Sequence, residues 1–152
     1  MRLFCDEMLK ELGRWLRAAG YDTALAEGGL ADAAIIARCT TEQRILITRD
    51  RHLETRAQGR VPVVRLAEDG LDAQALALRA VLGVDWECAP FTRCLVDNAP
   101  LDLAPSEMAA QVPPDSRVPG GPLRVCPSCG RLYWPGGHVR RMVEKLRGFS
   151  SA

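Results

Sequence analysis

The chain has 152 residues, of which 47% are hydrophobic and 26% charged, and its formal net charge is +1. No apolar run approaches the roughly 20 residues needed to span a bilayer, and the N-terminus lacks the layout of a signal peptide. We therefore expect a cytoplasmic globular protein with no membrane partner, large enough for one core and a small appended module.

Strand-like and helix-like segments alternate four times in the first half of the chain. Residues 2–5 predict a first strand, and apolar residues at helical spacing predict a helix over 7–19 that Gly20 ends. The later predicted elements are strands at 23–26, 45–48 and 61–66 and helices from about 31 to 43, 51–58 and 71–82. Pro62 removes a ladder donor, so its strand is placed towards an edge. The predicted fold class is α/β, with a parallel sheet between helices.

Three aspartates occupy equivalent places in this pattern. Asp6 follows the first strand, Asp32 opens the second helix and Asp50 follows the third strand. Each precedes a helix, so each taken alone can be an N-cap. In a right-handed parallel arrangement, however, all three can face the edge of the sheet where ligands bind.

Converging carboxylates are costly unless a cation neutralises them, and Mg²⁺ or Mn²⁺ is the usual ion. We therefore predict that Asp6, Asp32 and Asp50 are catalytic residues that hold such an ion, which can activate water for phosphodiester cleavage. Thr48 could orient Asp50 through its hydroxyl group. His52 lies in no recognisable motif with a serine or cysteine nucleophile, and no Walker loop is present.

The character of the sequence changes at Trp86. Nine of the ten prolines follow it, and no long apolar periodicity survives between them. Such a segment needs more than hydrophobic collapse to order it. We predict a first domain over residues 1–85 and a second over 86–152. The last 36 residues, from Arg117 onward, carry seven basic residues against one acid, and a basic helix is expected over 138–149, which suits a polyanionic partner.

The six cysteines fall into two groups. Cys5 and Cys39 lie in apolar surroundings and are expected to be buried, whereas the other four lie in the second half of the chain. Cys126 and Cys129 form a CxxC knuckle followed by Gly130, which is a moderately strong zinc signal. A tetrahedral site needs two more ligands.

Three stretches together resemble a known family: FCDEMLKELGRWLRAAGYDT, DAAIIARCTTEQRILITRDRHL and CPSCGRLYWPGGHVRRM. They are similar to the PIN-like RNase domain first noticed at the C-terminal end of the mutator-seven exonuclease, and the resemblance covers nearly the whole chain. It implies a PIN-like parallel sheet flanked by helices, then a small zinc-ribbon module and a basic C-terminal helix. It also implies a metal-dependent ribonuclease whose acidic positions fall on Asp6, Asp32 and Asp50.

The resemblance further implies a second CxxC upstream of the knuckle, and here the sequence departs from it. Cys94 is followed three residues later by Asp97 instead of cysteine. A carboxylate oxygen is an acceptable zinc ligand, so Asp97 can complete the site. Cys88 and His138 are rival fourth ligands, and loss of zinc is a further alternative. The expected zinc ligands are Cys94, Asp97, Cys126 and Cys129.

The leading functional hypothesis is a metal-dependent RNA endonuclease whose zinc ribbon aids RNA binding. Tyr133 and Trp134 either form a small core for the ribbon or stack on bases beside arginines. Arg14 and Arg17 either line the approach to the acidic edge or are solvated. The main alternative is a non-catalytic RNA-binding or ribosome-associated adaptor, and a metal-dependent phosphatase or nucleotide hydrolase is a third possibility.

Overall fold

The computed structural model describes residues 1–116 and 121–151. Arg117, counted above in the basic tail, and Ala152, the end of the predicted second domain, lie outside these ranges. Within them, no helix is both long enough and apolar enough to cross a membrane.

Four parallel strands alternate with four helices in the first part of the chain, as predicted. The strands are β1 (Arg2–Cys5), β2 (Asp22–Leu25), β3 (Ile45–Thr48) and β4 (Val63–Arg65). The helices are α1 (Lys10–Ala18), α2 (Asp32–Glu42), α3 (Arg51–Ala57) and α4 (Leu71–Leu82). A 3₁₀ turn at Glu7–Leu9 leads into α1, so the predicted first helix is divided in two.

The strand order is β2-β1-β3-β4, and every neighbouring pair is parallel. The chain moves from β1 to β2 on one side and then crosses back to β3 on the other side of β1. The winding therefore reverses between β1 and β3, where Cys5 pairs with Ile47. Crevices at such switch points are where open α/β sheets bind ligands. The strand after Pro62 lies at an edge, which confirms that prediction.

Both faces of the sheet are buried because alternate residues of a strand point to opposite sides. Leu3, Cys5 and Ile47 belong to a core cluster that also contains residues of α1 and α4. Phe4 and Leu46 belong to a second cluster, formed with residues of α2 and α3. The sheet is thus a middle layer between two helical layers.

The second part of the chain forms a small antiparallel sheet and a long helix. Its elements are β5 (Asp102–Leu103), β6 (Arg124–Val125), β7 (Leu132–Tyr133) and α5 (Gly137–Ser151), with strand order β5-β6-β7. Trp86, Tyr133 and Phe149 belong to the same core cluster as α1, and the rings of Trp86 and Phe149 lie 5.0 Å apart. Packing is therefore continuous across the predicted boundary at residue 85.

Residues 94–99, called here the 94–99 loop, cover the outer edge of β2. The Thr23 amide donates a hydrogen bond of 3.0 Å to the Asn98 side-chain oxygen. The Asn98 side-chain nitrogen donates to Asp22 Oδ1 at 2.7 Å. Asn98 thus takes the place of a neighbouring strand at the Thr23 amide and binds the Asp22 side chain beside it.

Arg17 fixes the same loop to α1. This side chain is only 5% exposed and donates from Nε to the Thr23 carbonyl oxygen at 2.8 Å. Its Nη1 donates to the carbonyl oxygens of Leu95 at 3.0 Å and Val96 at 2.9 Å. Both alternatives for Arg17, lining the approach to the acidic edge and being solvated, are therefore wrong, because its guanidinium group is buried and bonded inside the protein.

Asp22 makes the free energy of unfolding depend on pH in the acid range. Burial opposes its charge, but hydrogen bonds from Arg44 and Asn98 outweigh burial and lower the pKa of Asp22 from 3.8 to about 2. A folded pKa below the unfolded value stabilises the protein above pH 3.8, and that contribution is lost as pH falls towards 2. We expect Asp22→Asn to lower the midpoint of urea unfolding at neutral pH. The midpoint of this variant should also fall less than that of the parent protein as pH drops from 3.8 towards 2. The exposed Asp102→Asn is the control, and equal acid losses in both variants would contradict the assignment.

Candidate active site and metal site

Asp6 lies at the C-terminal end of β1, is 5% exposed and is fixed by three hydrogen bonds. Oδ1 accepts from the Met8 amide at 3.1 Å. Oδ2 accepts from the Arg49 amide at 3.2 Å and from the Thr48 hydroxyl. A carboxylate offers about four acceptor positions, so one position remains on Oδ1.

Asp50 follows β3 and caps α3 with one of its two carboxylate oxygens. Its Oδ1 caps α3 by accepting from the amides of His52 at 2.7 Å and Leu53 at 3.4 Å. Its Oδ2 accepts no hydrogen bond from residues 1–116 or 121–151. One oxygen therefore caps the helix while the other keeps its lone pairs.

Thr48 connects the two aspartates. Its hydroxyl donates to Asp6 Oδ2 and accepts from the Asp50 amide at 2.9 Å. The sequence predicted that this hydroxyl orients Asp50, and the contact is made through the Asp50 backbone. The ends of β1 and β3 are thus joined by side-chain hydrogen bonds at the switch point.

Asp32 is the first residue of α2, with Ala31 at the N-cap position and no side-chain cap bond. The interpretation of Asp32 as a cap is therefore wrong. Its Oδ2 accepts from Arg56 Nη1 of α3 at 3.3 Å. Because α2 starts beyond the end of β2, Asp32 lies on the same side of the sheet as the ends of β1 and β3.

The three aspartates share this side without forming a closed set of ligand atoms. In the described part of the chain, a single group of three or more Cys, His, Asp and Glu side chains has ligand atoms within 4.8 Å of one another, and it lies elsewhere. Convergence of Asp6, Asp32 and Asp50 on one ion therefore stays a prediction.

The group that does meet this distance is the predicted metal site. Its members are Cys94, Asp97, Cys126 and Cys129. The sulfurs of Cys94 and Cys129 lie 3.8 Å apart, and Cys126 Sγ lies 3.3 Å from both carboxylate oxygens of Asp97. Zinc–sulfur bonds of about 2.3 Å at tetrahedral angles place two sulfurs about 3.8 Å apart, so the donor set fits zinc.

Two turns of the same shape present these ligands. The Gly130 amide donates to the Cys126 carbonyl oxygen at 2.9 Å, and the Asn98 amide donates to the Cys94 carbonyl oxygen at 3.0 Å. Gly130 and Asn98 both have left-handed backbones, with φ of 74° and 70°. In each turn the two ligands are three residues apart, so Asp97 takes the position that Cys129 has in its own turn.

The other cysteines and both histidines lie outside this group. Cys5 and Cys39 are buried as predicted, and burial raises the pKa of the Cys39 thiol to about 11. Cys88 is exposed. Neither Cys88 nor His138 belongs to the group. Among these rivals for the fourth ligand, the geometry therefore favours Asp97.

Tyr133 is a further residue of the metal site that sequence reasoning missed. Its hydroxyl lies 3.2 Å from Cys94 Sγ and accepts from the Leu95 amide at 3.0 Å, so its proton points to the sulfur. Burial disfavours the Cys94 thiolate, but this hydrogen bond and backbone amides lower the pKa of Cys94 below its ordinary value. Tyr133 thus prepares the thiolate form that a metal requires.

Tyr133→Phe should weaken zinc binding. The ring remains in the core while the hydrogen bond to Cys94 is lost, and loss of such an outer partner typically costs about 10- to 100-fold in metal affinity. Competition with a chromogenic chelator measures the change. Tyr21→Phe is the matched control, because that hydroxyl accepts from the Asp85 amide and touches no metal ligand. Equal affinities in the two variants would remove Tyr133 from the site.

The comparisons with known proteins identify one family. The sequence model of the Mut7-C RNAse domain matches residues 1–146, which is nearly the entire chain. No curated protein and no solved structure matches the chain significantly.

Proposed function

Because the chain belongs to the Mut7-C RNAse domain family, we propose that it is a metal-dependent ribonuclease that cleaves RNA internally. The observation that best supports this activity is the pair of aspartates at the switch point. Asp6 and Asp50 end neighbouring strands, and Thr48 binds both of them. Two carboxylates held in one crevice can supply oxygen ligands to a hard cation.

The donor atoms fit Mg²⁺ or Mn²⁺, which prefer oxygen ligands. Asp6 would contribute Oδ1, Asp50 would contribute Oδ2, and Asp32 would contribute Oδ1 from the start of α2. When bound, such an ion activates water and stabilises the negative charge that develops on the phosphate. The protein keeps the Asp6 carboxylate in place through three hydrogen bonds, which leave one acceptor position on Oδ1 for the ion.

The zinc site would have a structural role in this enzyme. Its four protein ligands fill a tetrahedral shell, and a structural zinc site has no open position for substrate. The ribbon and α5 carry exposed arginines, among them Arg131, Arg140 and Arg141. We propose that this surface aids RNA binding. We also propose that the protein is cytoplasmic, as expected from the sequence.

The test is cleavage of a labelled single-stranded RNA by the zinc-loaded protein, with Mg²⁺ or Mn²⁺ added or omitted. We expect internal cleavage products only when one of these ions is present. A single-stranded DNA of the same sequence tests the preference for RNA. Intact RNA under every metal condition would overturn the proposed activity.

A non-catalytic RNA-binding adaptor is the second candidate. It is favoured by the ligand atoms of Asp6, Asp32 and Asp50, which do not all lie within 4.8 Å of one another. An adaptor would bind RNA with an affinity that falls steeply as salt rises and that Asp50→Asn leaves unchanged. It would show no cleavage that depends on a divalent ion.

A further inference from the structure

A cavity of about 480 Å³ lies beside the metal site, between α1, the 94–99 loop and the start of α5. Its volume is within the range of about 300 to 1,000 Å³ that is usual for small-molecule sites. Its lining includes Arg14 from α1, Val96 from the 94–99 loop, Arg131 and Trp134 from the ribbon, and His138 from α5. Four parts of the chain therefore contribute to the lining of one cavity.

The charged side chains that line this cavity are positive. Arg14 and Arg131 line it, and no aspartate or glutamate does so among the described residues. Neither guanidinium group makes a hydrogen bond or ion pair with residues 1–116 or 121–151. Two arginines without an acidic partner in one cavity suit an anion, and the planar guanidinium group is well shaped for phosphate.

The cavity also presents an aromatic surface. Trp134 lines this cavity and a second one of about 160 Å³, so its indole forms part of the wall of both. Tyr133 is buried by comparison and is already used at the metal site. Tyr133 also lines both cavities, but it is buried and its hydroxyl is engaged with Cys94, so Trp134 is the better candidate for stacking on a base.

We propose that this cavity binds one nucleotide unit of single-stranded RNA, with the base against Trp134 and the phosphate between Arg14 and Arg131. Base stacking on an aromatic ring combined with arginine contacts to the backbone is the general chemistry of single-strand binding. His138 supplies a further hydrogen-bonding group at the same wall. The proposal rests on the proposed RNA substrate and gives it a second contact point away from the aspartates.

The position of the cavity suits a strand that also reaches the acidic edge. Arg14 lies eight residues after Asp6, and rises of about 2.0 Å per residue in the 3₁₀ turn and about 1.5 Å in α1 place the two about 14 Å apart along this segment. A few nucleotides of extended RNA can span that distance. The nucleotide in the cavity would then fix the register of the strand at the cleavage site.

The test measures binding of a fluorescein-labelled single-stranded oligouridine by anisotropy at fixed salt. The full zinc-loaded chain carries Asp50→Asn, so that cleavage does not interfere. We expect Arg14→Gln, Arg131→Gln and Trp134→Ala each to weaken binding about tenfold. Trp134→Phe keeps an aromatic ring and should retain most of the affinity.

Arg60→Gln is the matched control, because Arg60 is exposed between α3 and β4, away from the cavity lining and the ribbon, and carries the same charge. We expect it to change the affinity no more than about twofold, since it alters only the general charge of the protein. Losses of equal size in Arg14→Gln, Arg131→Gln and Arg60→Gln would overturn the cavity as the site. Melting temperature and zinc content of each variant show that the fold is intact.

The binding result is independent of the proposed activity. If RNA stays uncleaved by the parent protein but the cavity variants lose binding selectively, the ribonuclease proposal fails and the nucleotide site stands. If the parent cleaves RNA and the cavity variants bind as the control does, the nucleotide site fails and the ribonuclease proposal stands.

Discussion

Asp50→Asn is expected to lower the rate of RNA cleavage at least about a thousandfold while leaving the melting temperature nearly unchanged. Asparagine keeps the side-chain oxygen that caps α3, since Oδ1 accepts both amide hydrogen bonds. It replaces the other oxygen, which is the one left for the cation, by a neutral amide. A metal ion supplies several kcal/mol of transition-state stabilisation, and about 4 kcal/mol corresponds to a thousandfold in rate.

Asp6→Asn should abolish cleavage as well, but it is a less clean test. Both oxygens of Asp6 accept hydrogen bonds from backbone amides, of Met8 and of Arg49. An asparagine side chain must place its NH₂ group against one of these donors, which destabilises the fold by leaving a buried donor unpaired. The rate of Asp6→Asn must therefore be compared with its melting temperature, whereas the rate of Asp50→Asn can be interpreted directly.

Asp69→Asn is the control for charge on this side of the sheet. Asp69 follows β4, its side chain is 90% exposed and it forms an ion pair with Arg49. Its loss removes one negative charge near the crevice without touching the proposed ligands. Single-turnover cleavage assays at saturating Mg²⁺ compare the variants. Full activity of Asp50→Asn would exclude Asp50 as a ligand, and equal losses in Asp50→Asn and Asp69→Asn would attribute the effect to general charge.

Cys126→Ala is expected to remove bound zinc and to lower the melting temperature by about 10 °C. Cys126 is buried, and its sulfur lies against Asp97 in the ligand group. Structural zinc contributes on the order of 10 kcal/mol in small zinc domains, so loss of even a few kcal/mol is a modest expectation. For a chain of this size each kcal/mol is worth about 2 to 4 °C.

The loss of stability in Cys126→Ala should extend beyond the ribbon because the metal site is packed into the main core. Cys94, Cys126 and Tyr133 belong to the same core cluster as residues of β1 and α1. Cys88→Ala is the control, since Cys88 is exposed and outside the ligand group. Zinc content per chain and thermal unfolding in zinc-buffered solution are the measurements. Unchanged zinc content in Cys126→Ala would refute the assigned ligand set.

Much of the fold could be predicted because its signals are local. Apolar β-formers such as Ile45–Thr48 mark buried strands, and the periodicity of Leu71–Leu82 gave the bounds of α4. The roles of Arg17 and Asn98 could not be predicted in this way. Arg17 bonds to a loop 78 residues away, and Asn98 bonds to an aspartate 76 residues away. A polar residue in an amphipathic helix or a turn gives no local sign of such a partner.

Prediction of the candidate site from the sequence was limited in the same way. The spacing of Cys94 and Asp97 repeats that of the CxxC knuckle, so the ligand set could be predicted from the sequence and the family resemblance. Tyr133 could not be assigned, because hydrogen bonding to a sulfur 39 residues earlier depends on how β7 packs against the 94–99 loop. Asp32 was expected to be either a cap or a ligand, and the observed start of α2 excludes the cap alone.

The contact between the 94–99 loop and β2 also covers one edge of the parallel sheet. β2 is an outer strand of the sheet, and the amide and carbonyl groups of Thr23 are occupied by Asn98 and Arg17. Unpaired groups on an outer strand are a template on which a second chain can add its own strand. Because Cys94 and Asp97 of the candidate zinc site lie in this loop, we expect loss of the metal to loosen the loop and to expose β2 to pairing with a second chain.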